Sequence, residues 1–235
     1  MEKHTHCVIP AGGTGNSYAY ERYSEKQLQL YNETGGKSNM YVQVKSSNGI
    51  TVVPMETKLM AERRIFIQGD ITQENACEFV KQILLLNSQD PKAPIDVLVN
   101  SPGGEINAGL LMYDVIQSSP APVRMFCMGQ AYSMGAVLFA SGRHGRYMLP
   151  HSELMLHEPV LGNRVGGNVS SIRSLSESMF EVRKKLNGIL AKHTGQPEEV
   201  IEKQTGYDHF FGPEESVAFG LADKIVGFDM LMEEK

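Results

Sequence analysis

From Arg64 onward the chain alternates two hydrophobic rhythms. Ile65-Phe66-Ile67, Ile95-Asp96-Val97-Leu98-Val99-Asn100 and Val123-Arg124-Met125-Phe126-Cys127-Met128 are short apolar runs of strand length. Between them, apolar residues recur at three- and four-residue steps, the spacing that gives a helix one buried face. The first predicted helix starts at Thr72, a hydroxyl N-cap, and turns Ala76, Phe79, Val80, Ile83 and Leu84 inward before Pro91 and Pro94 end it. The second carries Ala108, Leu111, Met112, Val115 and Ile116 and stops at Pro120 and Pro122. Strand, helix, strand, helix, strand in that order predicts right-handed crossovers and an α/β fold with a largely parallel sheet.

Further along, Arg146-Tyr147-Met148-Leu149 and Glu153-Leu154-Met155-Leu156-His157 read as two more short strands. The glycine-rich span from Gly162 to Asn168 suits a flexible or edge segment. Ser171 to His193 predicts one long helix with an apolar stripe through Leu175, Met179, Val182, Leu186 and Leu190. That stripe is longer than a small domain needs, so part of it is expected to bury against another subunit. Residues 1–50 are polar and turn-rich, with Tyr18, Tyr20, Tyr23 and Tyr31 scattered through them; a flexible or processed leader is expected there.

Charge and cysteine content narrow the class. With 22 basic and 27 acidic residues among 235, the net charge is -5, which provides no basic field for phosphate backbones and excludes nucleic acid as the expected partner. Cys7, Cys77 and Cys127 are spaced too widely for metal or redox pairs and fit a reducing compartment. No apolar run approaches the roughly 20 residues of a membrane span, and the N-terminus has no signal-peptide core, so a cytoplasmic protein is expected. Neither GxxxxGK[ST] nor GxGxxG occurs, so nucleotide binding by this chain has no support.

Four places carry candidate chemistry. Ser133 sits among Gly129, Ala131 and Gly135 where a strand gives way to a helix, a setting that exposes a nucleophilic hydroxyl or, equally, buries a helix-capping one. His157 ends a strand just before Glu158-Pro159; a neutral imidazole there suits a base for a serine, although a satisfied strand-end residue reads the same way and six other histidines compete. Asp208, set among Tyr207, His209, Phe210 and Phe211, is either a carboxylate that orients a histidine or an exposed loop aspartate. Ser101-Pro102-Gly103-Gly104, directly after a strand, is a turn able to aim backbone N–H groups into a cleft.

Taken in order, Val99-Asn100-Ser101-Pro102-Gly103-Gly104, Cys127 to Ala136, Leu156-His157-Glu158-Pro159, Leu190 to Pro197 and Gly220-Leu221-Ala222-Asp223 resemble the proteolytic subunit of the Clp protease, ClpP. The likeness runs from about Glu62 to Gly227 and implies a serine endopeptidase of the ClpP/crotonase fold, a spiral of ββα units with a largely parallel sheet and a protruding long helix. It divides the chain into a leader over 1–50, a divergent linker over 51–61, the peptidase domain over 62–227 and a tail over 228–235. By the resemblance, Ser133 is the nucleophile, His157 the general base, Asp208 the residue that orients it, and the backbone N–H groups of Gly104 and Met134 the oxyanion hole. It also implies two stacked heptameric rings joined through the long helix, polypeptide substrates delivered by an AAA+ unfoldase that spends the ATP, and no cofactor or metal in this subunit.

The chain departs from the family pattern at three positions beside these residues. Tyr132 stands before the nucleophile where the family usually has a small residue, Glu158 replaces a glutamine, and Tyr207 replaces the arginine that commonly precedes the aspartate. These departures and the unusual leader motivate a second reading: a non-proteolytic ring partner of an active paralogue, or a specialised maturation protease. A crotonase-type acyl-CoA enzyme is the third, because oxyanion holes also serve thioester enolates. An aligned serine, histidine and aspartate argue against it.

Overall fold

The computed structural model describes residues 41–46, 49–162 and 166–232. Expectations for residues 1–40, for the middle of the glycine-rich span and for the last three residues lie outside them. The chain divides into two units, Met1–Lys58 and Leu59–Lys235. In the first, β1 (Tyr41–Ser46) and β2 (Gly49–Pro54) pair antiparallel, from Tyr41 opposite Pro54 to Ser46 opposite Gly49, within a stretch that the sequence assigns to leader and linker. A short helix, α1 (Met55–Ala61), follows.

The second unit opens with β3 (Arg64–Gln68) and α2 (Gln73–Gln89). Thr72 caps α2 as expected: its hydroxyl accepts from the Asn75 N–H while the Asn75 side chain accepts from the Thr72 N–H, a reciprocal pair that satisfies two otherwise free donors. At the other end the Arg63 guanidinium donates to the carbonyls of Leu86, Asp90, Ala93 and Pro94, tying the end of α2 to the turn that follows it. The buried face is Ala76, Phe79, Ile83 and Leu86. Leu84, expected inside, is 64% exposed. In the run Leu84-Leu85-Leu86 the angular phase set by Ala76 and Phe79 favours the third leucine.

β4 (Ile95–Ser101) follows, then α3 (Ile106–Ser118), β5 (Val123–Tyr132) and α4 (Met134–Ala140). β3, β4 and β5 lie side by side in parallel register, with β6 (Arg146–Met148) parallel to the first half of β5 and β9 (Lys224–Ile225) parallel to β6. Residues 95–99 of β4 are all buried, the mark of a strand covered on both faces. Asp96 within it is paired to Arg124 on β5 at 2.6 Å. β5 runs four residues beyond the strand read from sequence. After a register shift between Val99 and Ser101 its second half changes partners, and Gln130, Ala131 and Tyr132 pair with Glu153, Leu154 and Met155 of β7 (Glu153–Leu156).

All seven residues of α4 are buried, as suits a helix apolar on every side. Burying one such Leu or Phe is worth roughly 1.5–3 kcal/mol, so α4 is a firm footing for the residue before it. The long helix α5 spans Val169–Thr194 and buries Leu186, Asn187 and Leu190 only, all in its second half. α6 (Glu198–Thr205), β8 (His209–Phe211, antiparallel to β7) and α7 (Pro213–Phe219) complete the mixed α/β unit with its mostly parallel sheet. A 3₁₀ turn over Phe228–Leu231 buries Leu231 against Leu98 and Phe126.

Among the described histidines, His193 has the largest disturbance. Burial beside α3, helped by Lys192, Arg146 and Arg143, lowers its pKa from 6.5 to about 4, and Tyr113 Oη lies 3.1 Å from its Nε2. The folded state therefore refuses a proton that the unfolded chain accepts. The resulting stability is complete above pH 6.5 and declines as the pH falls toward 4. Allowing for partial exposure, the loss is about 1–2 kcal/mol. Urea unfolding at pH 7 and pH 5 should show this slope in the wild type, and His193→Gln should flatten it.

Candidate active site

The end of β5, the end of β7 and the start of β8 meet beside the turn after β4. Ser133 adopts φ 53° and ψ -122°, a left-handed conformation that costs a residue with a Cβ on the order of 1–3 kcal/mol. Its surroundings impose it. The Ser133 N–H donates to Met155 O at 2.8 Å, and its carbonyl accepts from Ala136 and Val137 at the start of α4. The sharp strand-to-helix turn thus lifts the side chain out of the sheet. A cap role is not observed, because the Ser133 hydroxyl makes no capping bond to α4.

That hydroxyl instead meets His157: Oγ and Nε2 are 2.7 Å apart. Pro159 keeps the chain after β7 from continuing as helix, so the imidazole stands at the strand end. On its other side, His157 Nδ1 lies 3.3 Å from Asp208 Oδ1, which β8 carries to this edge by pairing with β7. The three side chains singled out from sequence therefore come together, although 51 positions separate Asp208 from His157. The imidazole is 18% exposed and the carboxylate 63%. Among the described residues, three of the competing histidines have other partners: His144 accepts from the Val123 N–H, His193 meets Tyr113, and His209 meets Gln204 and Glu215. His151 is exposed on a turn.

The Ser101-Pro102-Gly103-Gly104 turn forms the facing wall. Ser101 Oγ donates to Gly69 O at 2.6 Å and accepts from the Gly103 N–H at 3.1 Å, which pins the turn to the chain after β3. A parallel bridge joins Gly104 to Ile71 through the Ile71 N–H on Gly103 O and the Glu105 N–H on Ile71 O. This bridge does not use the Gly104 N–H. Met134 is the first residue of α4, where an N–H has no acceptor within the helix. Gly104, Met134, Ser133 and His157 line one cleft, whose apolar floor includes Val137, Leu186 and Leu190.

Sequence reasoning missed two supports of this site. Arg183 on α5 places Nε 3.3 Å from Glu158 and Nη2 2.9 Å from Glu202 on α6, so the anion that departs from the family pattern is paired. Tyr132 donates its hydroxyl to Glu153 at 2.5 Å, and that carboxylate, aided by burial, pushes the phenol pKa up to about 12. Both links depend on which face of an element a residue occupies across long separations. Burial pushes the Cys127 thiol up to about 12, which leaves it a neutral core residue.

Among the described residues no group of three or more His, Cys, Asp or Glu side chains is placed to hold a metal ion, and no helix is long and apolar enough to cross a membrane. Residues 47–228 match the family model of the Clp protease, a span that contains every residue of the cleft. With most of its length inside that match, the chain belongs to the Clp protease family and is a serine peptidase in general class.

Proposed function

We propose that this chain is the serine endopeptidase subunit of a ring-shaped, self-compartmentalised protease that cuts unfolded polypeptides. The observation that carries the proposal is the 2.7 Å contact between Ser133 Oγ and His157 Nε2 on a backbone held at φ 53°. A serine hydroxyl is a weak nucleophile until a base takes its proton, and His157 is within reach to do so. Ser133 attacks the peptide carbonyl, His157 passes the proton to the departing amine, and water activated by the same imidazole releases the acyl group. Asp208 orients the ring and stabilises its cationic form. The Gly104 and Met134 N–H groups stabilise the oxyanion, for which two fixed donors in a partly dry cleft are well suited.

Assembly follows from the long helix. Val169, Ile172 and Phe180 are 83%, 48% and 65% exposed, an apolar face that a second copy of the chain would cover. Two stacked heptameric rings would enclose the clefts, with an AAA+ unfoldase spending ATP to deliver substrate and a paralogous subunit able to share the ring.

Labelling with a fluorophosphonate tests the chemistry apart from any substrate preference. The wild-type protein should take up one probe per subunit and Ser133→Ala none; native mass on the same sample reports the ring. A wild-type ring that refuses the probe in every assembly state would instead be a non-proteolytic ring partner.

A further inference from the structure

Tyr132 stands directly before Ser133 yet has no part in the proton transfers described above. Besides its hydrogen bond to Glu153, its ring meets Phe210 edge to face, with centroids 5.7 Å apart and planes at 87°. Tyr132 pairs with Met155, and Met155 with Phe210, so the contact reaches across β7 from the nucleophile's strand to β8. Phe210 lies two residues after Asp208. β8 itself is three residues long and, among the described strands, pairs with β7 alone. Its inward side chain, Phe211, is buried; its outward one, Phe210, is 48% exposed and finds the Tyr132 ring. Backbone pairing over so short an edge leaves the preceding segment weakly fixed. The carboxylate whose position matters is part of that segment.

We propose that Tyr132 is a positioning residue: braced by Glu153, its ring clamps Phe210 and so sets where Asp208 stands relative to His157. The proposal rests on the reading of Ser133, His157 and Asp208 given above. The hydroxyl fixes the ring's direction, and the edge-to-face contact transmits it, each using a different part of one side chain. A small residue at position 132 would leave β8 held from its inner face alone.

The test is a double-mutant cycle read as kcat and KM on a fluorogenic peptide, per assembled particle. Tyr132→Ala should lower kcat about five- to tenfold with KM within about twofold, and Phe210→Ala should reproduce that loss. Tyr132→Phe keeps the ring and should retain most of the activity. In an Asp208→Asn background, Tyr132→Ala should cost nothing further, because the group it positions is gone. An equal loss in that background, or a loss in Tyr132→Phe as large as in Tyr132→Ala, overturns the clamp. The rate of fluorophosphonate labelling needs no peptide and separates the two proposals: a wild-type protein that takes up no probe removes both, and slowing in Asp208→Asn without slowing in Tyr132→Ala removes the clamp alone. Slowing of the same order in both supports the clamp, whereas full-rate labelling of Asp208→Asn leaves it nothing to position and overturns it.

Discussion

Alanine at position 157 should lower peptide turnover per assembled particle on the order of 10⁴-fold and leave native mass unchanged. The imidazole is the group in contact with Ser133 Oγ, at 2.7 Å, and without it the hydroxyl proton has no acceptor at the moment of attack. What survives should be the contribution of the proposed oxyanion donors and of binding in the cleft. The fold should tolerate the change: Leu156, buried at 1%, secures the strand end, while His157 lies at the cleft surface. Asp208→Asn preserves shape and removes charge, and its loss should be smaller by about one to two orders of magnitude. The reason lies in exposure. A carboxylate 63% open to solvent acts on an imidazolium through a high dielectric, so its contribution should be mainly orientation. Mass spectrometry of intact particles beside the peptide assay decides the matter: particles of His157→Ala that turn over at the wild-type rate would remove the residue from the chemistry.

How far the sequence could go differs from one element to the next. β4 and the first half of β5 are legible because their apolar runs meet a local requirement, burial on both faces of a parallel sheet, and β3 because Ile65 and Ile67 alternate inward. The second half of β5 is not. Gly129-Gln130-Ala131-Tyr132 has turn-like composition and is drawn straight by β7, a partner more than 20 positions later. Leu84 shows the limit of periodicity in a run of leucines, where only the neighbouring elements select the residue that goes in. At the site, residue types and resemblance located Ser133, His157 and Asp208, but composition cannot show that Ser133 has a positive φ or that its hydroxyl is turned from α4 toward an imidazole. The Arg183 bridge between Glu158 and Glu202 was illegible for a similar reason. Salt bridges between elements depend on helix phase and crossing, which no spacing rule supplies.

Gly104→Ala should damage stability and catalysis together, and the two losses have one cause. A Cβ at this position would lie 2.2 Å from Ile71 O and 2.6 Å from Ile71 N, both backbone atoms with no rotamer to yield. The residue also sits at φ +151°, where a side chain is strained whatever the space. Relief requires the turn to move away from Ile71, at the expense of the 2.8 Å bonds from the Ile71 N–H to Gly103 O and from the Glu105 N–H to Ile71 O. Overpacking and backbone strain each cost roughly 1–3 kcal/mol, so a destabilisation of about 3 kcal/mol is expected in urea unfolding. The displaced turn takes the Gly104 N–H with it, and loss of one oxyanion donor should lower kcat on the order of 10²–10³-fold. Gly69→Ala is the control: φ is +69° there too, but no atom lies within 4 Å of the added carbon. It should cost about 1 kcal/mol of stability and leave kcat unchanged. If Gly104→Ala unfolds with the wild-type midpoint yet loses its turnover, the donor argument survives and the packing argument fails. A stable variant with full turnover would remove Gly104 from the oxyanion site altogether.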